Sequence, residues 1–398
     1  MKNLLLFLIF SLCSLAICSE KVGPWNLEEL YKAPKWEKSE NAPKDGMKGI
    51  LYSSIPYTGK DVQVFAYYNA PKGAAPKGGW PAVVCVHGGG GTAFNAWVKA
   101  WNDNGFAAIS MDLEGHFPIG SHKKGRTPTP KPGPSRVGVF HDYDKPIEQQ
   151  WYYHAVAQII LAHSLIRSFP EVNKEKTGIT GVSWGGNLTS TVMGVDTRFK
   201  FAIPGYGCGF LPGSDGNQGR TIKKGKHWDT VAKYYDGSAY FANVKYPTLW
   251  VNGTNDFHFP MPSTQKSSQA VKGKTTLRYQ VRMGHGHGAV WKTKECYAFA
   301  KSVVNGGPAL LSFDKPELQD KSLKVKVSGE VSEAVLAYTT DGQKIWPDKV
   351  WKEAKANIKD NYISAPIPDG AIAVFINAKD QDGNMISSEF VDIKKQIK

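Results

Sequence analysis

Residues 177–182 form an apolar and small-residue run that passes straight into Gly181-Val182-Ser183-Trp184-Gly185-Gly186, and residues 185–188 then open a helical segment. A strand that becomes a helix within so few residues leaves space only for backbone beside the turning residue, which is why glycines must flank it. The residue at the apex, Ser183, projects its hydroxyl above the end of the strand. In a chain with 41 glycines the bare G-x-S-x-G pattern says little; its strand–turn–helix setting is the informative part. That setting also restricts the architecture, because strands alternating with helices need a mainly parallel sheet covered on both faces.

The rest of the chain follows the same alternation. Residues 49–57 and 62–68 read as two early antiparallel strands, and residues 81–86 (PAVVCV) as a strand buried on both faces. A helix over 94–104 and a strand over 105–113 follow; 147–168 has apolar residues at helical spacing between Pro146 and Pro170. Further strands are expected at 199–204, 247–251 and 277–283, with helices near 262–271 and 290–304. Two inserts interrupt the pattern: 118–146, rich in Pro, Gly, Lys and Ser, and 211–235, rich in Gly and charge. Each follows a strand, so each should border the carboxyl edge of the sheet, where ligands of such folds bind. From about residue 308 the pattern changes to short alternating runs at 323–327, 334–338, 362–365 and 371–378, separated by Asp-Gly turns. The expected organisation is residues 1–18 a signal peptide, 19–48 a lead without clear periodicity, 49–308 an α/β catalytic domain and 309–398 a small antiparallel β-sandwich.

Lys2, the apolar run 4–12 and Ala16-Ile17-Cys18 have the form of an export signal cleaved before Ser19. The run is shorter than the ~20 helical residues that span a bilayer. A secreted or periplasmic protein without an integral membrane segment is therefore expected; Leu15-Ala16-Ile17-Cys18 is a weaker match to a lipid-anchor signal at Cys18. The formal net charge of +14 could suit an acidic partner such as a polyanionic glycan, nucleic acid or anionic membrane. The lysines are spread along the whole chain, however, so a solvated basic surface is the expectation and nucleic acid is not an expected partner. Three cysteines remain after cleavage, Cys85, Cys208 and Cys296; they allow at most one internal disulfide, and buried apolar-type thiols are expected. With no CxxC, neither a metal site nor a cofactor is expected. The oligomeric state is not legible.

A serine hydroxyl becomes a nucleophile only with a base beside it, itself oriented by an acid. Asp256 leaves the 247–251 strand in the turn Asn252-Gly253-Thr254-Asn255-Asp256, 73 residues after Ser183. Gly284-His285-Gly286-His287-Gly288 leaves the 277–283 strand, with His287 31 residues beyond Asp256. His287 is the preferred base because the Gly-His-Gly step gives it reach; His285 and, more distantly, His258 compete. Asp229 and Asp236 compete for the acid. Val86-His87-Gly88-Gly89-Gly90-Gly91 follows the PAVVCV strand and offers bare backbone N–H groups. The N–H of Gly89, with that of Trp184, would form the oxyanion hole that acyl transfer needs. His87 fits a loop-bracing role.

These motifs, together with Val195-Asp196-Thr197-Arg198-Phe199-Lys200 and Tyr206-Gly207-Cys208-Gly209-Phe210, resemble an α/β-hydrolase of the prolyl-oligopeptidase/dienelactone-hydrolase branch. Within that branch the likeness is to secreted bacterial acetylxylan-esterase-like hydrolases, over about residues 60–305. The resemblance implies Ser183 as nucleophile, Asp256 as acid and His287 as base. It implies a serine esterase acting on short acyl esters, acetyl foremost, on a small ester or an acylated polysaccharide. The alternatives are a prolyl-oligopeptidase-like serine peptidase and a degenerate hydrolase that binds glycans. Trp97, Trp151, Tyr152, Trp184 and Tyr206 are aromatics that would suit a sugar if they are not core.

Overall fold

The computed structural model describes residues 22–41, 46–224, 226–342 and 344–393; the expected signal peptide lies outside them. Eleven strands precede the C-terminal region: β1 (Trp36–Lys38), β2 (Lys48–Tyr57), β3 (Lys60–Asn69), β4 (Trp80–Val86), β5 (Ala107–Met111), β6 (His116–Ser121), β7 (Gly125–Pro128), β8 (Val172–Val182), β9 (Phe201–Gly205), β10 (Thr248–Gly253) and β11 (Thr275–Gln280). The main sheet runs β1-β2-β3-β5-β4-β8-β9-β10-β11. From β5 to β11 the pairings are parallel, whereas β1, β2 and β3 join antiparallel. This is the α/β-hydrolase fold. Strands β5, β9 and β10 are buried at every position, as continuous apolar runs in a covered parallel sheet must be.

Helices α1 (Leu27–Leu30), α2 (Asn95–Asp103), α3 (Trp151–Ile166) and α4 (Trp184–Val195) cover the sheet with later helices. Alternation along β4 divides the core in two. Val84 and Val86 pack with Ile159, Ile160 and Leu188 of α3 and α4, while Val83 and Cys85 pack with Trp97 and Trp101 of α2. Helix α3 is buried almost all round, which explains its lack of a polar face. The lead is not featureless: Trp25 stacks on Tyr153 at 5.9 Å and donates its indole N–H to the Tyr153 carbonyl, and Ser164 Oγ donates to Leu30 O at 2.7 Å.

The 118–146 insert is also built. Strands β6 and β7 pair as a hairpin, and buried Phe140 meets the rings of Tyr152, Trp184 and Tyr235. Residues 211–235 contain the helix Asn217–Lys224. Cys85, Cys208 and Cys296 are buried free thiols, each pushed up by burial.

Beyond the helix Lys294–Asn305 the strands pair antiparallel in two layers. One layer holds Ser322–Ser328 and Tyr362–Pro366; the other holds Val331–Thr339, Trp351–Lys355, Ala373–Asp380 and Met385–Ser387. The second layer continues the central sheet, giving fourteen strands in all, because Met385–Ser387 pairs with β11 at Leu277↔Ser387. Tyr279 N–H donates to Ser387 Oγ at 2.7 Å, Asn377 Nδ2 to Tyr279 O at 3.1 Å, and Met385 N–H to Glu295 Oε1 at 2.8 Å. The C-terminal strands form the two antiparallel layers that the sequence suggests, and one of these layers also continues the hydrolase sheet.

A second His–Asp pair lies in the core, away from Ser183. His163 Nδ1 donates to Asp196 Oδ2 at 2.7 Å, and its Nε2 lies 2.8 Å from the Thr177 hydroxyl. Arg198 donates to the same carboxylate and stacks on Tyr31 at 3.8 Å. Burial alone would raise the Asp196 pKa, but His163 and Arg198 hold it well below the carboxylate range. Burial lowers His163 to about 4. Both depressions act in one direction: below pH ~6.5 an unfolded His163 takes a proton that the native ring refuses, and nearer pH ~4 the unfolded Asp196 does the same. Stability should thus fall as the pH drops from 6.5 through 4, read as a declining Tm. Asp196→Ala should cost about 3–5 kcal/mol in urea unfolding, since it leaves the Arg198 guanidinium and the buried His163 N–H without their acceptor.

Candidate active site

Ser183 sits between β8 and α4 with φ 57° and ψ −120°, a conformation that L-residues seldom adopt. Its N–H donates to Gly205 O at 3.0 Å, and its carbonyl accepts from Asn187 N–H at 2.9 Å. A Cβ on Gly185 would collide with the carbonyls of Val86 and His87, and one on Gly186 with that of Gly205. No side chain larger than hydrogen fits beside the turn.

The exits of β10 and β11 bring the partners to this hydroxyl. Asp256, 3% exposed, accepts N–H donors from His258 at 3.0 Å and Phe259 at 2.7 Å on Oδ1. Its Oδ2 accepts from Nδ1 of His285 at 2.6 Å. Nε2 of His285 lies 2.9 Å from Ser183 Oγ. With Nδ1 protonated toward the carboxylate, Nε2 is the acceptor for the serine proton. The ring is flanked by Tyr206 at 4.6 Å, His258 at 4.7 Å and Phe257 at 5.3 Å between centroids. The hydroxyl of Tyr206 donates to Gly286 O, fixing the loop that carries the imidazole.

His287 is therefore corrected as the expected base: the ring between Ser183 and Asp256 is that of His285. A short helix begins at His287, so the chain has already turned after Gly286. The His287 ring lies 4.8 Å from the Phe94 ring, and its Nε2 accepts the N–H of Gly88 at 3.0 Å. Burial lowers its pKa to about 4, with the neighbouring His87 adding to the effect. A neutral ring is what an acceptor at Nε2 requires. The acid rivals lie elsewhere: Asp236 accepts from the N–H groups of Phe210, Leu211 and Ser238, and Asp229 is exposed. His258 contacts Gln218 through Nδ1 at 3.0 Å and not Ser183.

The glycine loop after β4 is held from several sides. His87 donates from Nδ1 to Gly88 O at 2.7 Å and accepts Leu113 N–H on Nε2 at 2.9 Å, which leaves neither nitrogen for proton transfer. Arg126 of the hairpin donates to the carbonyls of Gly90 and Gly91. Gly88 packs against the Ser183 side chain, and a Cβ on Gly89 would lie 2.7 Å from Cδ1 of Trp184. Gly89 and Trp184 thus flank the serine, and Trp184 opens α4 with an N–H that has no partner within the helix.

Sequence reading missed Arg126, Tyr206 as a loop brace and Phe257, which is 45% exposed beside His285. Tyr206 stood in a noted motif; nothing local marks Arg126, whose contact spans 35 residues. Of the aromatics considered for sugar contact, Trp97, Trp151, Tyr152, Trp184 and Tyr206 are all buried.

Residues 138–305, which carry Ser183, Asp256 and both histidines, match the prolyl oligopeptidase family. The match covers less than half of the chain. In fold, the chain is similar to the acetyl xylan esterase from Paenibacillus sp. R4, with a TM-score of 0.56 and 21% identity over 70% of this chain and 92% of that one. It is similar to Acetyl Xylan Esterase 1 from Thermoanaerobacterium sp. JW/SL YS485, with a TM-score of 0.53 and 15% identity over 71% and 96%. It is also similar to the Pyrococcus horikoshii acylaminoacyl peptidase, with a TM-score of 0.50 and 16% identity over 72% of this chain and 44% of that one. No curated protein matches the chain in sequence.

The geometry of this site separates the two histidines experimentally. Labelling of Ser183 by a fluorophosphonate probe should fall on the order of 10³-fold or more in His285→Ala. In His287→Ala it should fall by about tenfold or less; equal losses would contradict the arrangement.

Proposed function

We propose that the protein is a serine hydrolase that cleaves short acyl esters, acetyl foremost, carried on a polysaccharide. The observation that carries this reading is the relay of 2.9 Å and 2.6 Å from Ser183 through His285 to Asp256. Ser183 Oγ attacks the ester carbonyl while His285 Nε2 takes its proton, and Asp256 steadies the imidazolium. Negative charge then develops on the carbonyl oxygen, where the N–H groups of Gly89 and Trp184 would stabilise it. The tetrahedral intermediate expels the alcohol, which receives the proton from His285 and leaves Ser183 acylated. Water deprotonated by His285 attacks the acyl-enzyme, and the acid departs as Ser183 regains its proton.

The esterase-type fold likeness over nearly the full length of two acetyl xylan esterases supports an ester substrate. The export-type segment at 1–18 supports action outside the cytoplasm, where polysaccharides are met. A second reading, cleavage of peptide bonds, is favoured by the likeness to an acylaminoacyl peptidase, although this chain spans only 44% of that protein.

Wild-type protein should hydrolyse p-nitrophenyl acetate and release acetate from acetylated polysaccharides, with little turnover of peptide anilides. Preferential turnover of the anilides would favour the peptidase. Asp256→Asn, which keeps the shape but loses the tautomer control of His285, should lower kcat on the order of 10⁴-fold.

A further inference from the structure

Between Glu114 and Asp142 the chain carries five basic residues (Lys123, Lys124, Arg126, Lys131 and Arg136) and no Asp or Glu. The fold brings this stretch onto the glycine loop beside Ser183. Arg126 grips the carbonyls of Gly90 and Gly91, and the His122 ring would lie 3.3 Å from a Cβ on Gly90. Lys123 and Lys124 stand exposed at the tip of the β6–β7 hairpin, next to that contact. Lys131 pairs with Asp61 and takes no part.

Arg136 stands nearest the nucleophile. Its guanidinium lies 5.5 Å from the Trp184 ring, and Nη2 would be 3.2 Å from a Cβ on Gly89, so it reaches both residues whose N–H groups are proposed for the oxyanion. Nη1 donates to Gly138 O at 2.8 Å. Nε lies 3.5 Å from Glu114 Oε1, yet both atoms are buried without a hydrogen-bond partner among the described residues. The other carboxylates nearby are engaged: Asp112 accepts from Thr92, Glu114 N–H and His116 N–H, and Asp256 serves His285. The exposed hairpin tip thus adds Lys123 and Lys124 to the rim, while Arg136, paired with Glu114 through Nε, turns Nη2 toward Gly89.

We infer that the polysaccharide taken by this site is a polyanion, whose ester-bearing sugar or its neighbour presents a carboxylate to Arg136. A uronic-acid chain has that chemistry, with the hairpin lysines meeting further carboxylates along the chain. This rests on the esterase reading above and narrows its substrate class.

The test compares acetylated oligogalacturonate bearing free carboxylates with the same material methyl-esterified, reading released acetate, and uses p-nitrophenyl acetate as a reporter of the esterase itself. The expected kcat/KM ratio of free-acid to capped substrate is about tenfold or more, the scale of one charge-assisted contact. It should shrink toward one in about 0.5 M salt, where the Debye length is a few ångström. Arg136→Gln should collapse the ratio. Lys123→Gln with Lys124→Gln, confined to an exposed turn and so harmless to folding, should reduce it several-fold and flatten its salt dependence. A ratio at or below one in the wild type, with p-nitrophenyl acetate still turned over, overturns the polyanion inference alone. Absence of turnover of every ester overturns the esterase reading instead.

Discussion

At the Ser183 turn, backbone lies against backbone with no side chain between. Gly181 faces Gly185, Gly185 faces the carbonyl of Val86, and Gly186 faces that of Gly205. Strands β4, β8 and β9 and the start of α4 thereby converge as closely as peptide groups permit. The left-handed φ of Ser183 is tolerated because hydrogen bonds to Gly205 and from Asn187 fix it on both sides. Relaxing that crowding would lower the hydroxyl and move it from the ring of His285. The glycine loop and the helix start also take their places from this contact, since Gly88 rests on the serine itself.

Much of this was legible in the sequence, for reasons that differ by residue. Ser183 is marked by a turn so tight that it dictates its neighbours' composition. Asp256 is marked by following a buried strand in the right chain order, although its carboxylate is fixed by two backbone donors that no pattern reveals. The base was misassigned because Gly284-His285-Gly286-His287-Gly288 is nearly symmetrical about Gly286. Direction decides between the two rings. A helix begins at His287, and the Tyr206 hydroxyl pins Gly286 from 80 residues away. Local spacing carries no trace of a tertiary bond of that kind. The C-terminal strands were equally readable as alternating runs, yet their attachment to β11 depends on pairings more than 100 residues apart.

The residue displaced from the role of base is not idle. His287 accepts the N–H of Gly88, while Arg126 donates to the carbonyls of Gly90 and Gly91. A run of four glycines has the greatest conformational entropy to lose on folding. Acceptors and donors from two distant parts of the chain replace the restraint that side chains would otherwise provide. The two histidines thus take different places, His285 against the serine hydroxyl and His287 against the neighbouring backbone.

The sheet ends on one side in Trp36–Lys38 and on the other in Trp351–Lys355, both short and both bearing Lys and Glu. Without the C-terminal layers, β11 would be a terminal strand with a row of unsatisfied peptide groups open to any passing chain. Their presence moves that vulnerable border outward to a segment whose charges repel self-templating, so protection from fibre-like association comes built into the same strand order that supports the histidine loop.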